Sequence, residues 1–446
     1  MRYKVVLMAA LGLVATGASA QGVPTDSSYV SDGFKIEFKR TSPEIRKTLE
    51  ESKQPERQPI KAPDFVVKST DNRFVMAIGG YIAPVLGYDI GNDLYEQDGA
   101  GLDFVTNAIP VPPVKGRRSD FFINGVNFAV DFQIVGLAGT KNQITAYFKL
   151  GTNDNSSPIK LKRAYVSYRN FTVGEVATLM EDGDAAQPPT IDQQGPCGIV
   201  GTTAYEVAYK SPSYGGFRWA LGLDMPSYYA SDGRYQGRDY PRYRGEQVAT
   251  VENVEQMMPD IPAWVEYSRG IGRIRATGML RTFTYRDLLQ DKVRHVMGYG
   301  VMLSGNLTPV KPLTFNFQAA YGQGIGAYLQ DIAGMPLSFV PSDSKPGHMK
   351  ASPMMGWVVG ASYNFAPRWQ FNVMTSQSRI WKVADYCTAA EAPANYKYAL
   401  YTAANVFYNI TSYLQCGMEY IWGRHVTWNK GGANDSRIQA QIKFTI

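Results

Sequence analysis

Val126, Phe128, Val130, Phe132 and Ile134 alternate with Asn127, Ala129, Asp131 and Gln133. A period of two sends successive side chains to opposite faces of a strand, so this segment has one apolar face and one polar face. The same alternation recurs from Phe74 to the last residue, Ile446. After Ala20 no uninterrupted apolar run approaches the roughly 20 residues that a spanning helix requires. The chain is therefore all-β, and it is either soluble or crosses a membrane as strands. Mean hydropathy, −0.24, does not separate the two, because a membrane barrel hides its apolar face in alternation. An aromatic content of 13%, with 29 Tyr and 43 Gly, favours a barrel with interfacial aromatic girdles.

Sixteen alternating segments are predicted: 74–89, 126–134, 142–150, 159–169, 171–177, 202–210, 216–224, 261–269, 272–285, 295–308, 312–323, 354–366, 367–378, 396–409, 411–424 and 434–446. Short connections (138–141, 169–170, 211–215, 270–271, 309–311, 366–367 and 409–410) alternate with longer ones, notably 90–120, 178–201, 225–260, 324–353 and 379–395. An even strand count with short turns at one end and long loops at the other is the plan of a bacterial outer-membrane barrel. A soluble sandwich has no reason to gather its long loops at one end. Trp357, Val359, Ala361, Tyr363 and Phe365 share a face that Trp369, Phe371 and Val373 continue beyond the next turn, an interfacial belt. The final strand, with Ile438, Ala440, Ile442, Phe444 and Ile446 on one face, reads as the one that closes the barrel.

The chain opens with an export signal over residues 1–20: Arg2 and Lys4, an apolar core from Val5 to Val14, and the small-residue exit Ala18-Ser19-Ala20. The whole chain carries +6, and losing Arg2 and Lys4 leaves +4, a bias too small to name a partner. Residues 21–73 form a polar periplasmic lead-in. Within it Ser42 caps a helix that begins at Pro43 and runs to about Lys53, and Pro55, Pro59 and Pro63 mark an extended linker. Residues 74–446 make the barrel. Of three cysteines, Cys197, Cys387 and Cys416, no pair is assigned and no metal spacing appears.

The candidate site is the lumen. Ile274, Ala276, Gly278 and Leu280 face one way, and Arg273, Arg275, Thr277 and Arg281 the other. An arginine at the lipid midplane costs about 2–4 kcal/mol, so the arginine face is the inner one. Lys443, Asn316 and Gln318 share the inward register. Arg163 and Arg169 have one parity and Lys160 and Lys162 the other, unless a bulge puts all four inside. The loop 178–201, carrying Glu181, Asp182, Asp184 and Asp192, is too long for an ordinary connection. It is expected to fold into the lumen and narrow it, with Glu181, Asp182 and Asp192 on the constriction. Arginines on one wall opposite an acidic loop set a transverse field that orients solutes and favours anions. The expected function is passive diffusion of small hydrophilic solutes with a modest anion preference. The alternative is a structural or adhesive barrel presenting 225–260 and 324–353. His295, His348 and His425 lie far apart with no serine or orienting partner in sequence, and no Gly-rich phosphate loop opens a helix, so an enzyme is not expected. No cofactor and no nucleic acid is implied. The partners of such a barrel are membrane lipid, lipopolysaccharide and small anionic or polar solutes.

Several segments together resemble the DcaP-like outer-membrane porins, in a version from a Bacteroidetes-type bacterium. They are I-G-G-Y at Ile78–Tyr81, L-K-R-A-Y at Leu161–Tyr165, F-T-V-G-E at Phe171–Glu175, T-I-D-x-x-G-P at Thr190–Pro196, M-P-D-I-P at Met258–Pro262, A-T-G-M-L-R at Ala276–Arg281, and A-Y-G-Q-G-I-G-A-Y-L at Ala320–Leu329. No single piece is specific; their order and spacing carry the resemblance. It implies sixteen strands, a homotrimer with one pore per protomer, and uptake of small anionic solutes such as carboxylates. The chain departs from that pattern at Glu175-Val176-Ala177-Thr178, where the family has a Gln-Thr-Trp-type run. It also lacks the heptad run of an N-terminal coiled coil.

Overall fold

The computed structural model of the chain describes residues 28–31, 34–37, 43–55, 65–71, 73–91, 103–113, 119–124, 127–152, 159–185, 187–226, 250–254, 258–335, 337–342, 344–381, 396–428 and 431–446. The signal segment, Ser42, Pro59, Pro63, Cys387 and most of 225–260 and 379–395 lie outside the described residues.

Sixteen antiparallel strands close into one barrel. The first runs in two pieces, Phe74–Ile82 and Val85–Ile90, because Pro84 has no N–H to give a neighbouring strand. The second is Asp120–Asn124 continued by Phe128–Gly136, longer at its outer end than alternation alone indicates. The others follow as Ile144–Thr152, Lys160–Tyr168, Phe171–Ala177, Thr203–Lys210, Phe217–Pro226, Ile261–Arg269, Gly272–Asp287, Lys292–Val310, Leu313–Gln323, Pro353–Ala366, Trp369–Ile380, Tyr396–Asn409, Leu414–Thr427 and Gly431–Thr445. The last strand closes on the first through Ile438↔Tyr88 and Phe444↔Ile82, and Ile446 exchanges backbone hydrogen bonds with Gly80. No edge is left along the barrel wall, which is the condition for a sheet to sit in lipid.

Each strand has an apolar outer face and a polar inner one. Along Gly272–Asp287, Leu280 is 55% exposed and its neighbour Arg281 2%. Val173, Val207, Leu221, Val265 and Val301 extend the exposed band around the wall. Apolar surface that continuous is at rest only in hydrocarbon. At the end carrying the short turns, ring pairs ladder across strands: Phe171–Tyr209 at 5.1 Å, Phe217–Tyr267 at 4.5 Å and Trp369–Tyr408 at 4.6 Å. These rings form the expected girdle at that end, where amphipathic aromatics suit the headgroup layer.

The lead-in differs from expectation. Ser28–Ser31, Phe34–Glu37 and Phe65–Ser69 form a small meander whose last strand pairs with Phe74–Ile82 through Phe65↔Ile78 and Lys68↔Val75. The helix is Pro43–Ser52. It does not trail away from the barrel. Leu49 is buried against Val66 of the meander and against Val75, Ala77 and Val135, on inward-facing positions of the first two barrel strands.

Candidate functional site

The loop 178–201 leaves the short strand Phe171–Ala177 and enters the lumen, as its length predicts. Its stem is pinned where Thr178 N–H donates to Thr202 O at 3.2 Å and the Thr178 hydroxyl donates to Asp224. The first half then follows the wall built from Ile261–Arg269 to Leu313–Gln323. Arg273 Nη2 donates to Asp182 Oδ1 at 2.6 Å, and Ser304 Oγ donates to Asp182 Oδ2 at 2.6 Å. Arg275 lies 3.4 Å from the same carboxylate and donates to the Glu181 carbonyl at 3.4 Å. Glu266 stands directly across from Arg275 in the strand register and accepts from both arginines, at 2.5 and 2.7 Å. The Arg275 guanidinium also covers the Trp264 ring at 4.4 Å. Burial alone would raise the Asp182 carboxyl, but the two arginines outweigh it and hold Asp182 below its ordinary 3.8.

The second half of the loop crosses to other parts of the wall. Asn316 Nδ2 donates to Ala185 O at 3.5 Å, and Gln318 Oε1 accepts from Val200 N–H at 2.8 Å. The backbone N–H groups of Ile191 and Asp192 donate to Glu419 at 3.1 and 2.9 Å, and Gly198 N–H donates to Ser376 Oγ at 2.8 Å. Gly198 has no substitute here, because a Cβ would stand 2.0 Å from the Gln377 carbonyl oxygen. Asp192 accepts from Phe104 N–H at 3.1 Å and Tyr401 Oη at 2.9 Å. Burial, with Asp103 and Glu419 beside it, pushes the Asp192 carboxyl well above 3.8.

This arrangement corrects one expectation. Arg273, Arg275 and Arg281 do face inward, but they do not look across water at an acidic loop. Arg273 and Arg275 grip that loop. Arg281 lies 3.4 Å from Asp260, donates to the Gly324 carbonyl at 2.5 Å and sits between the Tyr328 and Phe339 rings, so it anchors the loop 324–352. Each guanidinium in a narrow, dry space must be neutralised or it is too costly to keep, and cross-strand carboxylates do that. Glu181 and Asp182 share this contact with the arginine wall, whereas Asp192 lies apart beside Glu419.

The lumen is unequally filled. Phe104, Cys197, Val200, Tyr328, Ile332 and Phe339 belong to one buried apolar cluster made from three inward-folded loops. A cavity of about 1280 Å³ lies at the turn end, bounded by Thr178–Asp184 above and the turns around Thr140, Arg169 and Pro212 below. Its lining is mixed: Thr145, Ser167, Thr172, Lys210, Arg218 and Glu181.

A second basic set lies on the wall of Ile144–Thr152 and Lys160–Tyr168. Lys149 pairs with Arg163, and the next pair is Leu150 with Leu161, so Lys162 is the extra residue of a bulge. The bulge turns Leu161 outward and leaves Lys160, Lys162 and Arg163 on the inner side, an arrangement that parity alone left open. Arg163 donates to the Pro55 carbonyl at 3.4 Å. Lys443, over the Tyr81 ring at 4.5 Å, is close enough to Lys149 to feel its charge. Sequence reading passed over Lys149. The signal was present, since Thr145, Tyr147 and Lys149 share a parity while Ala146, Phe148 and Leu150 hold the apolar one. Glu266 was missed as well, because the neutralising partner of an arginine comes from the neighbouring strand and is not visible in its own alternation.

Among solved structures the chain is similar to the outer-membrane channel DcaP of Acinetobacter baumannii. The two are 16% identical over 85% of this chain and 99% of that one, with a TM-score of 0.66. It is also similar to OmpT of Vibrio cholerae, with 9% identity, 84% and 98% coverage and a TM-score of 0.51. The fold is that of the outer-membrane porins. No family model and no curated protein matches the sequence.

Proposed function

We propose that the chain is an outer-membrane porin, a passive channel for small hydrophilic solutes, with its turn end and residues 21–73 on the periplasmic side. The observation that carries this reading is the loop 178–201 held inside a closed sixteen-stranded barrel, leaving a vestibule of mixed lining beside it. The sequence pieces from Ile78–Tyr81 to Ala320–Leu329 and the likeness in fold to DcaP support placing the chain near the DcaP-like porins, with membrane lipid and lipopolysaccharide around it. A homotrimer and carboxylate solutes belong to the same proposal.

A modest anion preference rests on the second basic set. Lys149, Lys160, Lys162, Arg163 and Lys443 occupy inner positions on strands roughly opposite those that hold the acidic loop. Asp184, half exposed, is the carboxylate of that loop that reaches open space, while lying 3.9 Å from Arg273. A basic wall facing an acidic loop across water concentrates small anions and orients dipolar ones. Arg273, Arg275 and Arg281 hold the loops in this scheme and Asn316 and Gln318 fix their backbone.

The test is single-channel conductance of the purified protein in a planar bilayer, with reversal potential in a salt gradient. Steps in threes and a reversal potential on the anion side are expected. A folded barrel that never conducts would favour a structural or adhesive role, which the dense packing of half the lumen would suit.

A further inference from the structure

The helix Pro43–Ser52 and the three residues after it occupy the mouth of the vestibule, on inward-facing side chains of five strands. Lys53 Nζ donates to Asp131 Oδ2 at 2.9 Å and lies 5.0 Å from the centre of the Tyr147 ring. Gln54 N–H donates to Tyr165 Oη at 2.9 Å, and its side-chain amide donates to Thr172 at 3.3 Å and Ser167 at 3.5 Å. Lys210 Nζ donates to Gln54 Oε1 from the next strand round. Arg163 donates to the Pro55 carbonyl, and Gln133 Nε2 donates to Leu49 O and Ser52 Oγ, each at 2.8 Å. Lys53-Gln54-Pro55 is thus bound as a small ligand would be. An ammonium group meets a carboxylate and a ring face, an amide meets hydroxyls, and a carbonyl meets a guanidinium.

We infer that this segment is a gate: an internal ligand that narrows the periplasmic mouth and must leave its cradle for the full path to open. The reading rests on the porin proposal above. Three features fit a displaceable contact rather than a fixed one. Apart from the Lys53 ammonium over the Tyr147 ring, residues 53–55 are held by hydrogen bonds, which water can replace once the segment leaves its cradle. Among the helix side chains described, Arg46 to Ser52, Leu49 is the apolar anchor. The same helix carries Glu50 and Glu51 into the vestibule lining, so its presence also adds negative charge to the path of an anion.

The experiment compares conductance in planar bilayers of the full mature chain, Lys53→Ala/Gln54→Ala, and a variant lacking residues 21–55. Deletion carries a folding risk. The full-length protein is therefore also made with Ser52→Cys and Gln133→Cys in a background whose native cysteines are Ser, bridged by a short bis-thiosulfonate. We expect at least a twofold rise in conductance for the alanine variant and more for the deletion. The bridged protein should stay at the low level until a thiol reductant releases it. Equal conductance in the full chain, the alanine variant, and the bridged and reduced forms would overturn the gate and leave the porin standing. No channel from any of these folded barrels would overturn both.

Discussion

Asp182 is the loop residue whose loss should be felt most. Its carboxylate accepts from Arg273 and Ser304, each at 2.6 Å, lies 3.4 Å from Arg275, and is fully buried. A hydrogen bond to a charged group contributes about 1.5–3 kcal/mol, and removing one partner of a buried pair costs about 3–5 kcal/mol because the other charge stays buried. Glu266 remains on both guanidinium groups, so the lower end applies. We expect about 3 kcal/mol for Asp182→Ala and about 2 kcal/mol for Asp182→Asn, which still accepts from Ser304. The assay is reversible urea unfolding in detergent, followed by tryptophan emission. The carboxyl titrates below its ordinary 3.8 in the folded barrel. A depressed folded value gives stability that is complete above the unfolded value and disappears as pH falls through the folded one. The advantage of the natural residue over Asn should thus be flat from pH 8 to 5 and shrink below about 4. A loss under about 1 kcal/mol, the range of a hydrated surface pair, would mean that the arginines do not hold the loop and that its seat in the lumen is wrong.

The two basic sets should separate in experiment. Lys149→Gln/Arg163→Gln/Lys443→Gln should lower anion over cation permeability at unchanged stability. Arg273→Gln/Arg275→Gln should lower stability and raise conductance as the loop loosens, and the reverse assignment of effects would refute the division. Gly198→Ala, whose methyl would meet the Gln377 carbonyl at 2.0 Å, should displace the loop from the wall. Reversible unfolding should show a loss of about 1–3 kcal/mol, the usual cost of overpacking, and an unchanged midpoint would show the loop free of that wall. The Cys197 thiol, pushed up to about 12 by burial, should resist maleimide at pH 8 in the folded barrel and react on unfolding. Fast labelling of the native protein would place it in water.

The wall was legible because its period is two and one-sided: lipid tolerates apolar groups and water or loop tolerates the rest, so Leu280 and Arg281 declare their faces unaided. The inward course of the loop 178–201 was legible from its length and acids. Its partners were not, because Ser304, Asn405 and Glu419 meet it from strands up to 228 positions away. Register across strands, and not composition within one, decides such contacts. The contacts of the lead-in were hidden for the same reason. Lys53-Gln54-Pro55 looks like solvated linker until Asp131, Tyr165 and Lys210 are brought to the same end of the barrel.

That distribution of charge has a consequence for how solutes pass. The apolar cluster around Phe104, Tyr328 and Phe339 fills one side of the lumen, and the arginines and carboxylates beside it are engaged in pairing with one another. The open side has both the vestibule and the basic wall. A solute would therefore move along the strands from Ile144–Thr152 to Phe217–Pro226, not down a central axis, and would meet Lys53-Gln54-Pro55 on the way. Asp131 and Arg163, which hold that segment, are on the same inner face as Lys149. The charges that attract an anion and those that seat the gate thus lie on one surface, and an anion drawn to Arg163 competes with the Pro55 carbonyl for its guanidinium. Raising the concentration of a small carboxylate should accordingly increase the open fraction of the full chain but not of the variant lacking residues 21–55. Single-channel open probability in acetate against chloride at equal ionic strength measures it, and an equal response in both proteins would separate anion binding from gating.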